Sequence, residues 1–379
     1  MKILYVATDQ VVPGSTGGSI HVLEVARGLA ARGHEVQAVI HDVGASPCEE
    51  AEGRISWRRI RWTPEHRFFR LRARPQVERL ARAFGAEAVI ERYYNFGGEG
   101  ILTAERLAIP SLLEVNSPLV DPKGSAKALL DAALLVRPLR RHRERLAGAA
   151  SALISPILQI VPEFAREKTH IVTWGANVDS FSPAKRDDAT RVRLGIPRDA
   201  VAVLFSGSFR PWHGVHVFEE AARRLRARDD IFFVLAGGSV AGPAQDFRGV
   251  HLGKLAYESM PEVTAACDIG VAPYDTARLR ELSLGFFWSP LKIFEYMASG
   301  LATLTIPRAP LTEIARADQE GLFFREADPS DLARQIGGLA ADAGLRRRLG
   351  DSARTRVVER YSWAKHCEQV ETVLKRIAA

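Results

Sequence analysis

Residues 286–300 read FFWSPLKIFEYMASG, and their apolar side chains recur at the spacing of a short helix. Ser289 is predicted to be the N-cap of this helix, and Pro290 is predicted to occupy its first position. Lys292 and Glu295 lie three residues apart and so share one helical face. Glu295 therefore has two interpretations. It forms a surface ion pair with the lysine, or it accepts hydrogen bonds from the vicinal hydroxyls of a ribose, as acids do in dinucleotide-binding folds.

Short apolar runs alternate with helical patterns along the rest of the chain. The predicted strands before residue 183 are 2–8, 35–41, 86–92, 110–116, 151–155 and 169–174, and those after it are 202–208, 231–238, 250–255, 269–274 and 301–306. Two successive runs of this alternation predict two doubly wound α/β domains. They join near 173–188, where Gly, Asn, Pro and charged residues replace the apolar pattern. Because open α/β sheets bind ligands at the carboxyl ends of their strands, we expect a ligand in a cleft between the two domains.

The length and composition are those of a globular protein with two domains. The chain has 379 residues, of which 46% are hydrophobic and 26% are charged. Its three cysteines are widely spaced, which predicts neither a disulfide framework nor a zinc site and favours a reducing cytoplasm. No apolar run reaches the length of about 18 residues that crosses a membrane. The N-terminus leads directly into a predicted strand, so no signal peptide is expected.

An arginine-rich segment stands out in the first half of the chain. Residues 54–82 hold ten arginines against two glutamates, with Trp57, Trp62, Phe68 and Phe69 among them. This mixture is expected at the surface of an anionic membrane, but it also fits a solvated helix face combined with aromatic side chains in the core. No recognition motif accompanies the charge, so a nucleic-acid partner is not expected.

Two glycine-rich loops follow predicted strands and precede predicted helices, where backbone N–H groups and the helix dipole attract anions. Gly17 and Gly18 form the first loop, which lacks the P-loop and dinucleotide-binding patterns and fits a tight turn as well as a phosphate site. The second loop, within 205–221, adds Arg210 and His213. A guanidinium can bind phosphate oxygens bidentately and an imidazole can donate one further hydrogen bond, so we favour a phosphate site there over an exposed loop.

Six segments, taken in order, resemble motifs of the family 4 retaining glycosyltransferases. They are GGSIHVLEVARGLAARGHEV at 17–36, WGANVDSFSP at 174–183, VLFSGSFRPWHGV at 203–215, CDIGVAPY at 267–274, SPLKIFEYMASG at 289–300 and RYSWAKHCEQVETVLKRI at 360–377. The resemblance covers nearly the whole chain. It implies the GT-B fold, an α/β architecture of two doubly wound Rossmann-like domains facing a deep inter-domain cleft. Residues 1–178 are then the acceptor-binding domain, completed by the C-terminal helix 362–379, and residues 179–361 are the nucleotide-sugar donor-binding domain.

The resemblance also implies roles for the residues at the motif positions. The donor diphosphate is expected to contact Gly17, Gly18, Arg210, His213 and Lys292. The nucleoside is expected to contact Glu295, Gly253 and Leu291. The donor sugar is expected to contact Phe287, Trp288, Ser289 and Pro290. Asn116, Glu114 and Arg210 are the expected catalytic residues, and no residue is expected to bind a metal ion. The donor base is expected to pack near 251–255, which does not identify it.

Four positions depart from the usual pattern of the family. They are Phe287 in place of the first acid of the Glu-x7-Glu motif, Ser208 in place of an arginine, His213 in place of a lysine and Asn116 in place of a histidine. Glu295 matches the second acid of that motif. Asn116 cannot titrate as a base, but its amide can hydrogen-bond a sugar hydroxyl or an acceptor. Arg210 and Lys292 are expected to supply the lost positive charge. A subset of the family shares EVN-x-PL and SPLK-x-FEYMA, so we interpret these departures as variants.

The implied reaction moves a sugar from a nucleotide diphosphate sugar to an acceptor hydroxyl with retention at the anomeric carbon. The expected context is the synthesis of a cell-envelope glycan, a glycolipid or a polysaccharide, with a small soluble acceptor as the competing choice. The leaving phosphate is expected to act as the base, so neither a metal ion nor a cofactor is required. A catalytically silent nucleotide-sugar-binding protein and a nucleotide-sugar epimerase are the alternatives. The expected location is the cytoplasm, with peripheral contact to the anionic inner face of the plasma membrane through 54–82.

Overall fold

Contacts between residues divide the chain into two compact units. The computed structural model describes residues 1–14, 16–44, 47–63, 67–122, 129, 137–287 and 290–379. The first unit comprises Met1–Trp174, Phe287–Ser289 and Trp363–Ala379, and the second comprises Gly175–Phe286 and Pro290–Ser362.

Each unit is built on one β-sheet. The first sheet contains β1 (Lys2–Ala7), β2 (Glu35–His41), β3 (Glu49–Glu52), β4 (Ile55–Ile60), β5 (Ala88–Tyr93), β6 (Ser111–Val115), β7 (Ala152–Ser155) and β8 (Thr169–Ile171), in the order β3-β4-β2-β1-β5-β6-β7-β8. The second contains β9 (Val201–Ser206), β10 (Ile231–Pro243), β11 (Gly249–Gly253), β12 (Ile269–Ala272), β13 (Ala302–Thr305) and β14 (Gly321–Phe323), in the order β11-β10-β9-β12-β13-β14. Neighbouring strands pair in parallel except β3, which is antiparallel to β4.

Helices connect most of the parallel strands in the described part of the chain. They are α1 (Gly17–Ala31), α2 (Arg74–Phe84), α3 (Glu99–Leu107), α4 (Arg137–Ala149), α5 (Asp188–Arg193), α6 (Val215–Arg224), α7 (Met260–Ala265), α8 (Leu291–Ala298), α9 (Leu311–Ile314), α10 (Pro329–Ala341), α11 (Ala343–Arg360) and α12 (Trp363–Ala378). The last helix packs on α1 in the first unit, where Gly28 leaves room for the Cys367 side chain.

The central strands explain why the sequence shows continuous apolar runs. Every residue of β9 is buried, and so is every residue of β1 after Lys2. Parallel strands with helices on both faces expose neither face to water, so their residues are apolar without alternation. The predicted pair of doubly wound parallel sheets is confirmed.

Part of the arginine-rich segment 54–82 is buried and does not form the predicted membrane-facing surface. Part of it forms β4, which the sequence analysis missed and which pairs in parallel with β2. Trp57 and Trp62 are buried in the core, and the Arg70 side chain is fully buried as well. The interpretation that these two tryptophans face a membrane is therefore wrong, and the alternative of core aromatics holds for them. The side chain of Phe68 is not among those that the structure describes, and Phe69 is half-buried.

In the part of the chain that the structure describes, no helix is both long enough and apolar enough to span a membrane. Pro290 occupies the N-cap position of α8 and the helix starts at Leu291, one residue later than predicted. The predicted N-cap, Ser289, lies outside the described residues.

Candidate functional site

The loop between β9 and α6 holds backbone conformations that few residue types adopt. Gly207 follows β9 directly with φ +147°, and Gly214 has φ +73° just before α6. A Cβ at Gly214 would collide with the carbonyl oxygen of Pro273, which follows β12. Phe209 also has a positive φ, of +52°, and its ring packs edge-on against Phe205. The two glycines thus let the loop turn tightly at the carboxyl end of β9, where α/β sheets bind ligands.

Two buried nitrogen atoms converge on this loop. Lys292 lies in the first turn of α8 and is 7% exposed, and its Nζ has no hydrogen-bond partner. His213 ends a 3-10 turn within the loop, and its Nδ1 is also buried without a partner. A Cβ placed on Gly207 would lie 2.9 Å from Lys292 Nζ and 3.1 Å from His213 Nδ1. Because glycine has no side chain, both atoms can reach a ligand that lies against the Gly207 backbone.

Aromatic rings pack around the Lys292 side chain. Its Nζ lies 4.4 Å from the ring centroid of Phe205 and 5.3 Å from that of Tyr274. Tyr274 stacks on Trp212 with 5.8 Å between centroids and lies 4.6 Å from the ring of Phe286. These rings attract a cation through their faces and also withdraw it from water.

Burial changes the protonation equilibria of both nitrogen groups. It lowers the pKa of Lys292 to about 7, although the charge of Glu295 acts in the opposite direction. It lowers the pKa of His213 to about 2, and the charges of Lys292 and Arg210 add to that effect. His213 is therefore neutral at neutral pH, and an approaching anion would raise the pKa of Lys292 and favour its charged form. The arrangement suits a phosphate group.

Most predicted donor-site residues of the second unit lie around this loop. They are Arg210, which is exposed and precedes the 3-10 turn, His213, Lys292, Glu295, which lies one helical turn after the lysine and is 8% exposed, and Leu291, which starts α8. Gly253 is separate from them, because it ends β11, two strands from β9 in the sheet order. Its φ of +65° explains why glycine occupies that position.

Of the four residues predicted to bind the donor sugar, the structure describes Phe287 and Pro290. Phe287 is 2% exposed and Pro290 is also buried. Trp288 and Ser289 lie outside the described residues. A buried phenyl ring contributes packing and offers no hydrogen bond, so Phe287 does not replace the function of the acid that is usual at its position.

The glycine pair of the first unit starts α1. Gly17 is the first helical residue, and Thr16 is the N-cap whose Oγ1 accepts a hydrogen bond from Ser19 N at 3.2 Å. A Cβ on Gly18 would collide with the side chain of Gln10, which follows β1. Packing against Gln10 favours a small residue at position 18 whether or not an anion binds, so a tight turn and a phosphate site both remain possible for Gly17 and Gly18.

The two polar candidates at the end of β6 have fixed side chains. The carboxylate of Glu114 is buried, with Oε1 2.5 Å from His21 Nε2 and Oε2 accepting a hydrogen bond from Tyr5 at 3.1 Å. Asn116 Oδ1 accepts a hydrogen bond from Trp174 Nε1 at 3.1 Å, and its Nδ2 donates to the Glu114 carbonyl at 3.3 Å. The Glu114 carboxylate therefore positions the side chains of His21 and Tyr5. The half-buried Asn116 amide is held in one orientation by its two hydrogen bonds.

Sequence reasoning missed several residues that build these sites. Phe205 and Tyr274 were assigned no role in the site. Tyr274 ends the predicted strand 269–274, and that position was an available signal, whereas Phe205 lies in the middle of the predicted strand 202–208. His21 lies on the apolar face of α1, and its contact with Glu114 joins residues 93 positions apart in a way that no local pattern reveals.

Two family models match most of the chain. The Glycosyl transferase 4-like domain matches residues 16–172, and the Glycosyl transferases group 1 model matches residues 200–342.

Curated relatives show the same resemblance. A D-inositol 3-phosphate glycosyltransferase from Streptomyces bingchenggensis is 28% identical over 296 residues, which are 74% of this chain and 64% of that protein. The match thus spans less than two thirds of that relative's length. A protein of the same name from Xylanimonas cellulosilytica is 26% identical over 392 residues, or 94% of this chain and 90% of that protein.

Solved structures have a similar fold. Sucrose-phosphate synthase from Thermosynechococcus elongatus has a TM-score of 0.75 at 18% identity, over 99% of this chain and 98% of that chain. Anabaena HepE in complex with UDP-glucose has a TM-score of 0.73 at 17% identity, over 99% of this chain and 100% of that chain.

Proposed function

Because the chain belongs to the family 4 glycosyltransferases and has their GT-B fold, we propose that it transfers a sugar, with retention, from a nucleotide diphosphate sugar to an acceptor hydroxyl. One observation carries the assignment of the donor site. Lys292 Nζ and His213 Nδ1, both buried and without hydrogen-bond partners, converge on the Gly207 backbone. Buried polar groups are normally satisfied, so two unsatisfied nitrogen atoms beside one loop favour an anionic ligand there.

The donor diphosphate accounts for this arrangement. When the bond between the anomeric carbon and the diphosphate oxygen breaks, negative charge develops on the leaving group. Lys292, in its protonated form, and the exposed Arg210 stabilise that charge, and His213 donates one hydrogen bond. The desolvated surroundings of Lys292 strengthen this interaction relative to water.

Retention follows from which group accepts the proton. In the proposed step, the acceptor oxygen attacks the anomeric carbon on the face that the diphosphate leaves, and the acceptor proton moves to a diphosphate oxygen. A new bond from the anomeric carbon to the acceptor oxygen thus replaces the bond to the diphosphate. No side chain is needed as the base, which agrees with asparagine at position 116. The proposal includes neither a metal ion nor a cofactor.

A uridine nucleotide is the first donor to test. The similar HepE structure contains UDP-glucose, and Glu295 is buried one helical turn from Lys292. A carboxylate in that position can accept hydrogen bonds from both ribose hydroxyls. Leu291 and Gly253 are then the proposed nucleoside contacts, and 287–290 is the proposed sugar-binding segment.

The proposed acceptor site is in the first unit, where Asn116 presents a fixed amide. We assign the reaction to the synthesis of a cell-envelope glycan, a glycolipid or a polysaccharide. The relatives' name favours a second acceptor class, a cyclitol phosphate. Cytoplasmic location and peripheral membrane contact belong to the same proposal. The membrane contact rests on exposed arginines such as Arg72 and Arg79, because Trp57 and Trp62 are buried.

Incubation of the full chain with a panel of nucleotide diphosphate sugars and both acceptor classes tests the proposal. Proton NMR during turnover should show a product whose anomeric configuration equals that of the donor. An inverted product would overturn retention. A panel in which no donor loses its sugar to any acceptor or to water would overturn the assigned reaction.

The Lys292→Met variant tests the donor site, since methionine keeps the length and apolar character of the side chain. Calorimetry should show an affinity for UDP about 10- to 100-fold below that of the wild type, as expected for a charge-assisted hydrogen bond. Lys185→Met removes an exposed lysine of the same unit and serves as the control. Equal affinities of both variants would place the diphosphate elsewhere.

A further inference from the structure

Three potential metal ligands meet in the core of the first unit. His21 from α1, Glu114 from β6 and His366 from α12 are all buried, and one ligand atom from each lies within 4.8 Å of the others. The three elements are far apart in the sequence. The cluster belongs to the first unit, whereas the loop that carries the proposed donor site belongs to the second.

Each of the three residues presents one ligand atom to the cluster. His366 Nδ1 donates a hydrogen bond to the Thr173 carbonyl at 2.9 Å, which leaves the lone pair on Nε2, and that atom is buried without a partner. His21 Nε2 lies 2.5 Å from Glu114 Oε1, so these two ligand atoms already form a close pair. Burial lowers the pKa of His21 and lowers that of His366 to about 4, so both rings are neutral at pH 7.

The surroundings of the cluster resemble the outer shell of a metal site. Tyr5 donates a hydrogen bond to Glu114 Oε2 and leaves Oε1 for another partner. Thr173 fixes the tautomer of His366 in the same way as the carbonyl groups that orient metal-bound histidines. The Trp174 ring stacks on His21 with 4.2 Å between centroids, and the Trp363 ring lies 5.4 Å away. These aromatic groups exclude solvent.

We propose that His21, Glu114 and His366 form a binding site for a divalent transition metal ion, with Zn²⁺ as the ion that two imidazoles and one carboxylate fit best. Zinc bonds of about 2.0–2.2 Å place tetrahedral ligand atoms roughly 3.3 Å apart. Binding therefore separates Glu114 Oε1 from His21 Nε2, which lie 2.5 Å apart without the ion. The ion replaces the proton on His21 Nε2, and that proton moves to Nδ1, so the imidazole stays neutral.

The proposed ion has a structural role. It links α1, β6 and α12, and so attaches the C-terminal helix to the sheet of the first unit. None of its three ligands belongs to the unit that carries the proposed diphosphate site, so the ion is assigned no part in the transfer step. Its binding stabilises the folded chain by mass action, because the unfolded chain does not hold the three ligands together.

The metal content of the full-length protein tests the site without reference to activity. After dialysis against micromolar zinc and then against metal-free buffer, mass spectrometry should find about one zinc per chain, and a strong chelator should lower the melting temperature. Cobalt should replace zinc, and its visible absorption should differ from that of the free aqueous ion. Retention of less than about 0.1 zinc per chain would mean an adventitious ion only and would overturn the proposal.

Matched variants assign the ligands. His366→Gln and Glu114→Gln should each lower zinc affinity by more than about tenfold, with folding checked by circular dichroism. The control is His34→Gln. His34 is also a buried imidazole beside a carboxylate, 3.2 Å from Glu371, but it does not belong to the candidate cluster. Equal zinc affinity in the two ligand variants and the wild type, or an equal loss in the control, would overturn the assignment. If one ligand variant fails to fold, the other variant and the cobalt spectrum of the wild type decide.

Discussion

Replacement of Lys292 by methionine should stabilise the protein while it weakens donor binding. The pKa of Lys292 falls from 10.5 to about 7 because the side chain is buried. A shift of this size means that the buried charge lowers the free energy of unfolding by about 5 kcal/mol at low pH. The cation–π contacts with Phe205 and Tyr274 offset about 1–2 kcal/mol of this amount. We therefore expect Lys292→Met to raise the free energy of unfolding by about 3 kcal/mol at pH 6.

The pH dependence provides an internal check. Below about pH 7 the lysine is charged in both states, and the cost of its buried charge is fully present. Between about 7 and 10.5 the unfolded chain binds the proton and the folded chain does not, so wild-type stability rises with pH. The advantage of the variant should shrink across that range.

Urea unfolding at pH 6 and pH 9 measures both effects. The control variant Lys185→Met should differ from the wild type by less than about 0.5 kcal/mol at either pH, because the side chain is exposed. A Lys292→Met protein that is less stable than the wild type at pH 6 would refute the reasoning. So would a stability advantage that does not depend on pH.

Three further changes test other parts of the structure. Glu295→Gln should weaken binding of a nucleoside diphosphate about 10- to 100-fold by calorimetry, and the loss should be smaller with a 2′-deoxyribose ligand and disappear with a 2′,3′-dideoxyribose ligand; equal losses with all three ligands would contradict the ribose contact. Gly207→Ala should weaken the same binding because its Cβ would lie 2.9 Å from the lysine Nζ, whereas Gly195→Ala, which also has a positive φ but no atom within 4 Å of its Cβ, should not; equal effects would refute the importance of this space. Arg70→Met leaves a buried carboxylate unpaired and should lower the free energy of unfolding by about 3–5 kcal/mol, against less than about 1 kcal/mol for Arg82→Met in an exposed ion pair; similar values would contradict the burial argument.

The sequence was informative wherever local pattern and burial agree. Continuous apolar runs predicted β1 and β9, because a parallel strand covered on both faces has no polar side. The strand β4 was missed because its residues ISWRRI include two arginines. Arg59 is buried there, with hydrogen bonds to Glu50 and to the carbonyls of Pro47 and Val12, and these partners come from other segments. The tertiary environment thus overrides the local signal of charge.

The candidate site shows the same limit. Glycine between a strand and a helix predicted the loop at Gly207, and the helix pattern placed Lys292 on α8. The sequence alone could not reveal that the Lys292 side chain is buried against Phe205 and Tyr274, because those contacts join three separate strand and helix ends. The cluster around His21 is a stronger case, since its members come from α1, β6 and α12.

The central claim is that the diphosphate of the donor binds at the loop after β9. The most direct test compares, by calorimetry, the affinity of the preferred nucleoside diphosphate with that of its nucleoside, in the wild type and in Lys292→Met. We predict that the wild type binds the diphosphate far more tightly, and that the variant loses about 10- to 100-fold of that preference while its affinity for the nucleoside is unchanged. The same preference for the diphosphate in both proteins would contradict the claim.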